Sequence, residues 1–218
     1  VIEVELPDEC KNLDEIDAVM IASAYLKADI LKKMPKCSLI ARLGNGCDKL
    51  DIPYATEHGI VIANVPDAST NEVADHTIAL LLAAARKLKL QESFMRSGKR
   101  SFSMEGLRRL SCQTLSIIGF GHIGRAVAKR AQVFGFKIIV SDPCLSKEDA
   151  EKFGVTLVSK EEAIVQADYL CLQCPLMPST KGMIAMPEFK KMKRTAVLVN
   201  TARGELVNEK DLAEALKT

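Results

Sequence analysis

Gly119, Gly121 and Gly124 are spaced G-x-G-x-x-G, directly after the β-branched apolar run Leu115 to Ile118 and directly before a stretch in which Ile123, Ala126, Val127, Ala131 and Phe134 recur at helical intervals. No other feature restricts the fold as much, because strand, glycine turn and helix in that order start a parallel αβ layer. Gly135 stops the helix, and Lys137 to Ser141 reads as the next strand, ending at Asp142. The first glycine permits the turn, the second lets a pyrophosphate approach the backbone, and the third lets helix pack on strand. The leading N–H groups and the dipole of the helix then face the phosphates. Asp142 stands eighteen residues past Gly124, where its carboxylate can accept both ribose hydroxyls of NAD and repel a 2′-phosphate. Glycine turns of this kind also join strand to helix in α/β proteins that bind nothing there. Strand, helix and acid together point to a dinucleotide, and to NAD rather than NADP.

The rest of the chain continues the alternation. Ala18 to Ala22, Ser38 to Ala41 and Ile60 to Ala63 read as short strands, and Val1 to Leu6 as a strand or its approach. Helical spacing runs from Lys27 to Met34, and Tyr54 to His58 resembles a helix end closed by Gly59. Downstream, Val155 to Val158, Tyr169 to Leu172 and Ala196 to Val199 are predicted strands, and Lys160 to Gln166 a short helix. Such alternation predicts an α/β chain with parallel sheets, whose ligands sit beyond the carboxyl ends of the strands. Three loops fall there: Gly44-Asn45-Gly46, which is either a plain turn or a backbone nest for an anion; Gln173-Cys174-Pro175; and Asn200 to Gly204.

Between the two runs of strands, Ser69 and Glu72 have capping-box spacing and open the longest helical pattern, Asn71 to about Lys89. Its middle, Ile78 to Ala85, is apolar nearly all round and predicts a helix buried between two bodies of protein or at a subunit interface. Arg86, Lys87, Lys89, Arg96, Lys99, Arg100, Arg108 and Arg109 then crowd one segment, read as a solvated linker, so the domain boundary is placed near residue 90, giving domains 1–89 and 90–218. With a net charge of +2 and both signs mixed, nothing favours nucleic acid or an anionic membrane as partner. The longest apolar stretch is far short of the roughly 20 residues that cross a bilayer. Seven scattered cysteines suggest a reducing compartment, hence the cytoplasm. Cys171 and Cys174 form a C-x-x-C along a predicted strand, without a second pair, and no metal site is expected.

Three segments resemble the D-isomer-specific 2-hydroxyacid dehydrogenases, which include phosphoglycerate dehydrogenase, glycerate and hydroxypyruvate reductases, formate dehydrogenase and the C-terminal-binding corepressors. They are RLGNGCDKLD at 42–51 with ANVPDASTNEVADH at 63–76, the unit at 115–143, and CPLMPSTKGMI with VNTARGELV at 199–207. The resemblance implies a Rossmann NAD-binding domain and a flavodoxin-like substrate domain, both incomplete here. It also implies that Arg203 binds the substrate carboxylate and polarises the carbonyl, as a guanidinium fork suits. By the same likeness, backbone groups of Asn45 and Gly46 hold that carboxylate and touch the nicotinamide side. His122 and Ile123 meet the pyrophosphate and Asp142 the ribose. Cys174, Pro175 and Thr180 cover the adenosine half, and Thr201 and Ala202 lie beside the nicotinamide ribose. The implied chemistry is hydride transfer between NAD and C2 of a D-2-hydroxy or 2-keto acid, in a homodimer.

The chain departs from that pattern in places. The family's general acid/base histidine and its glutamate lie downstream of the arginine, whereas the sequence stops at Thr218 within a predicted helix. None of His58, His76 and His122 stands where that histidine is implied, and structural roles are expected for the first two. The expectation is therefore an internal fragment of a longer enzyme, inactive alone. An NAD-sensing corepressor-like binder and an NAD-binding pseudoenzyme are the alternatives. Gln173 replaces a frequent histidine, and Phe102 lies near a position often held by tryptophan.

Overall fold

The β-branched runs pair side by side as parallel strands in two separate sheets. The computed structural model describes residues 12–98, 103 and 105–217. Val1 to Leu6, Lys99, Arg100 and Phe102 lie outside the described residues.

The first sheet comprises β1 (Ala18–Ile21), β2 (Leu39–Arg42) and β3 (Val61–Ala63), in that spatial order. All pairs are parallel, with Ile40 opposite Val19 and Ile62. The intervening helices are α1 (Ala28–Leu31) and α2 (Ile52–Glu57). Asp51 caps α2 by accepting from Tyr54 N at 3.2 Å, with Pro53 in the first turn where a missing N–H costs nothing. Ile21, Leu26, Leu31, Met34, Ile40 and Ala55 form the core of this unit.

The second sheet is built from β4 (Thr114–Ile118), β5 (Lys137–Ser141), β6 (Thr156–Leu157), β7 (Tyr169–Leu172) and β8 (Val197–Asn200), in the order β6-β5-β4-β7-β8. Every pair is again parallel, with Leu115 opposite both Ile138 and Tyr169. Alternate residues serve opposite faces. Leu115, Ile117, Ile138, Val140, Tyr169 and Cys171 join the core shared with α3 (Thr70–Ala85) and α5 (His122–Gln132). Ile118, Leu170 and Leu172 point the other way, to Ala163 and Ile164 of α7 (Lys160–Gln166). Burial on both faces is why these strands read as unbroken apolar runs.

Three shorter helices complete the second unit: α6 (Lys147–Lys152), α8 (Met186–Lys191) and α9 (Glu209–Ala215). α6 and α8 are absent from the sequence reading, being six residues each, too short to show a period. α6 is nonetheless capped by Ser146, which accepts from Asp149 N at 3.0 Å.

The long helix differs from its prediction in where it ends. It ends at Ala85, and α4 (Leu88–Arg96) follows after a break at Lys87, whose φ is +53°. Lys87 Nζ donates to Glu105 O at 2.6 Å, and Gln91 Nε2 to Arg86 O, so tertiary bonds hold a turn that lysine does not favour by itself. One face of α3 is buried, through Ala74, Thr77, Ile78, Leu81 and Ala85, while Ala79, Leu80 and Ala84 remain exposed. The compact units divide between Ser69 and Thr70, because α3 packs on α5 and β8. Arg130 of α5 fastens that packing with bonds to Asp75 and Asn71 of α3.

Candidate functional site

The strand order reverses at β4, where the chain runs outward through β5 and β6 and later returns through β7 and β8. Ligands of open parallel sheets bind beside such a point. Here the backbone is packed to the limit. Gly119 has φ +94°, and a Cβ on it would lie 2.5 Å from Cys174 N and 2.6 Å from the carbonyl carbon of Gln173. A Cβ on Gly124 would collide with Gly119 O, so α5 can approach β4 only as glycine allows. Gly121 is different, with nothing within 4 Å of where its Cβ would stand. The turn is thus closed on the protein side and open on the other, the shape a diphosphate requires.

Gly121 is the N-cap of α5 and has no side chain to cap the helix, so the N-terminus of α5 meets the open side of the turn without a side-chain cap. His122 is exposed, while Ile123 packs against the core. Asp142, immediately after β5, accepts from Phe120 N at 2.6 Å through Oδ2 and from Cys144 N at 2.8 Å through Oδ1. Each carboxylate oxygen keeps a further lone pair for a ribose hydroxyl.

At the ends of β7 and β8, Cys174 is buried and its thiol is pushed up by that burial. Pro175 opens a loop closed by Thr180, whose hydroxyl donates to Pro175 O at 2.7 Å and accepts from Met177 N at 2.8 Å. Past β8 the chain folds around the Asn200 carboxamide, which donates to Arg203 O at 2.7 Å and accepts from Ala202 N at 3.1 Å. The half-buried Arg203 donates through Nη1 to Ala202 O at 2.9 Å. Beside it, Thr201 Oγ1 lies 2.7 Å from Thr77 Oγ1, and Gln173 Nε2 reaches both hydroxyls.

The carboxyl edge of the second sheet therefore gathers Gly119, Gly121, His122, Ile123, Gly124, Asp142, Cys174, Pro175, Thr180, Thr201, Ala202 and Arg203. Asn45 and Gly46 belong to the first unit, in the loop after β2. Arg42 shapes that loop from within, donating to Leu43 O at 2.6 Å and Gly46 O at 3.1 Å, and Asn64 Nδ2 holds Asn45 O at 2.9 Å. The amides of Leu43 and Gly44 are engaged as well, donating to Ile21 O at 2.8 Å and Arg42 O at 2.9 Å. His58 stacks on Tyr54, ring centroids 3.9 Å apart, and His76 is an exposed residue of α3. Arg42, Asn64 and Thr77 were missed by sequence reasoning. For Thr77 the signal was a lone hydroxyl in the apolar stripe of its helix.

Residues 78–218 match the D-isomer specific 2-hydroxyacid dehydrogenase, NAD binding domain. The chain is 40% identical over 214 residues to D-3-phosphoglycerate dehydrogenase of Methanocaldococcus jannaschii, covering 98% of this chain and 40% of that protein. It is 38% identical to glyoxylate reductase of Korarchaeum cryptofilum, covering 96% of this chain and 64% of the relative. Among solved structures, D-lactate dehydrogenase from Aquifex aeolicus, complexed with NAD and lactic acid, superposes with a TM-score of 0.90 at 30% identity, over 97% of this chain and 63% of that one. The chain thus spans less than two thirds of each of these proteins. The glycine turn, the acid after β5 and the sheet order all fit the dinucleotide this match implies. The chain belongs to the D-isomer-specific 2-hydroxyacid dehydrogenase family, and its cofactor is NAD.

Proposed function

We propose that the protein oxidises a D-2-hydroxy acid, or reduces the matching 2-keto acid, by hydride transfer between C2 and NAD. The relatives are named for D-3-phosphoglycerate, glyoxylate and D-lactate. All three carry a carboxylate next to an oxygen-bearing C2, and that shared group defines the substrate class. NAD supplies the hydride acceptor. The observation that carries the reading is Arg203, held past β8 by the Asn200-centred loop on the same sheet edge as the glycine turn.

In this reading the guanidinium of Arg203 binds the carboxylate through two parallel N–H bonds and draws charge from the C2 oxygen as the bond order changes. Arginine stays cationic at any working pH, so it polarises without giving up a proton, and proton transfer is a separate role. The amides of His122 and Ile123 seat the diphosphate and Asp142 the adenosine ribose. Cys174, Pro175 and Thr180 border the adenosine half, and Thr201 and Ala202 the nicotinamide ribose. In the first unit, the backbone amides of Asn45 and Gly46 are assigned as an anion seat.

We place the protein in the cytoplasm on the strength of its scattered thiols, and assign it a homodimer. Support for the dimer comes from the exposed apolar side chains Leu80 on α3 and Leu88, Leu90 and Met95 on α4. The functional test, run on the full-length protein, is NADH oxidation with glyoxylate, pyruvate, hydroxypyruvate and phosphohydroxypyruvate. Saturable turnover with at least one is expected, and a protein that binds NADH but reduces none of them refutes the reading.

A further inference from the structure

Thr77 is completely buried, yet its hydroxyl meets three polar partners. Counting protons orders this cluster. Thr77 Oγ1 lies 2.7 Å from Val73 O, a carbonyl that can only accept, so the single hydroxyl proton of Thr77 is committed there. The 2.7 Å contact with Thr201 must then be a bond from Thr201 to Thr77. Both hydroxyl protons are now spent, and both oxygens still have lone pairs.

The Gln173 side chain reaches Thr77 Oγ1 at 3.2 Å and Thr201 Oγ1 at 2.9 Å. Neither hydroxyl has a proton left for it, so the carboxamide must turn its NH2 group toward them, one hydrogen to each. The reversed orientation sets a carbonyl oxygen against two acceptors, or strips Thr77 of its bond from Thr201. The amide is therefore locked, and Oε1 points away from the threonines. Among the described residues Oε1 has no hydrogen-bond partner, and it is not among the buried polar atoms left without one. Gln173 follows directly on β7, and its partner Thr201 directly on β8, at the carboxyl edge where the cofactor of a doubly wound sheet lies.

We propose that Gln173 binds the nicotinamide of the cofactor, with Oε1 accepting a hydrogen bond from the N–H of the nicotinamide carboxamide, and that Thr77 and Thr201 are the positioning residues that fix it. The inference rests on the NAD-binding reading of this edge. The buried hydroxyl of α3 thereby acquires a role, because a helix that never touches the nicotinamide sets the direction of an acceptor that does. Fixing the amide beforehand removes the rotamer freedom that binding otherwise has to freeze. A carboxamide also keeps the same charge at every pH, so this contact does not titrate.

The test compares NADH with ADP-ribose, which shares everything but the nicotinamide. The chain has no tryptophan, so NADH fluorescence reports binding without interference, and calorimetry serves for ADP-ribose. Gln173→Met keeps the length and removes the acceptor. It is expected to weaken NADH by about fivefold to tenfold, the value of one hydrogen bond, and to leave ADP-ribose within about twofold. Thr77→Val releases the lock and is expected to act in the same direction by about threefold. Unchanged NADH affinity in Gln173→Met overturns the proposal, as does an equal loss for both ligands, which marks a merely structural role. Gln173→Met decides the matter even if Thr77→Val fails to fold. Wild-type protein that binds neither ligand is a separate outcome, removing the NAD-binding reading and this inference with it.

Discussion

The backbone N–H of Phe120 donates to Oδ2 of Asp142 at 2.6 Å, so the carboxylate that follows β5 also ties down the glycine turn that follows β4. One side chain thereby orders the glycine turn and, in the proposed reading, also faces the ribose. Asp142→Ala is expected to weaken NADH by at least about tenfold, from lost ribose bonds and a loosened turn. It is also expected to lower unfolding free energy by about 1–3 kcal/mol, because the N–H groups of Phe120 and Cys144 lose their acceptor. The preference for NADH over NADPH should narrow as well. Parallel titrations of both nucleotides and a urea melt check all three; an unchanged preference removes Asp142 from the ribose.

Arg203 and the glycine turn serve different ligands in the proposed reaction, and kinetics can separate them. Arg203→Ala is expected to leave the dissociation constant of NADH within about twofold while lowering kcat/KM by two or more orders of magnitude, the pattern of a group acting on substrate and transition state. Arg203→Lys should recover little, since a point charge cannot reproduce the fork. Steady-state kinetics of the full-length protein beside NADH titration reads the split, and a matching loss of cofactor affinity contradicts the assigned role.

How far the chain could be read in advance followed from burial. Tyr169 to Leu172 is buried at every residue and was legible as a strand from an unbroken apolar run. Lys160 to Gln166 was legible as a helix, and Ser159 and Glu162 close a capping box at its start. The break at Lys87 was not, because it depends on Glu105, eighteen residues away, and nothing local marks a lysine for positive φ. The compact units divide between Ser69 and Thr70, earlier than the change of composition. Composition changes after residue 85, but α3 is held to the second unit by Arg130 of a helix that begins 37 residues further on. The glycine turn and Asp142 were legible because their chemistry is local. The Thr77–Thr201–Gln173 cluster was not, since its members are 124, 96 and 28 residues apart.

Ser116 sits in the middle of β4, fully buried, and its hydroxyl has no hydrogen-bond partner among the described residues. An unpaired buried hydroxyl costs about 1–3 kcal/mol, whereas removing one oxygen leaves almost no cavity. Ser116→Ala is therefore expected to stabilise the second unit by about 1 kcal/mol, with NADH affinity unchanged. Chemical denaturation of the two proteins measures it; destabilisation would mean that the hydroxyl has a bonded water.

Cys171 lies in β7 with no exposure, and burial pushes its thiol from the ordinary 9.0 up to about 12. Burial also raises Cys174 and, with help from the Asp168 carboxylate, Tyr169. A raised pKa means that the folded chain holds the proton more tightly than the unfolded one. The stability this contributes is complete below pH 9 and is lost as pH climbs from 9 toward 12, because the unfolded thiol ionises first. Near pH 10 to 11 the loss for Cys171 approaches about 1.4 kcal/mol per pH unit. Cys171→Ala is expected to flatten the fall of unfolding free energy over that range by a similar slope, whatever it costs in packing at neutral pH. At pH 8 the buried Cys171 thiol stays protonated, so iodoacetamide should modify the exposed Cys112 and Cys144 long before it. Denaturation curves at pH 8, 9, 10 and 11 test the slope, and mass mapping of the alkylated protein tests the order. Early labelling of Cys171 would show that β7 opens well below the global unfolding energy.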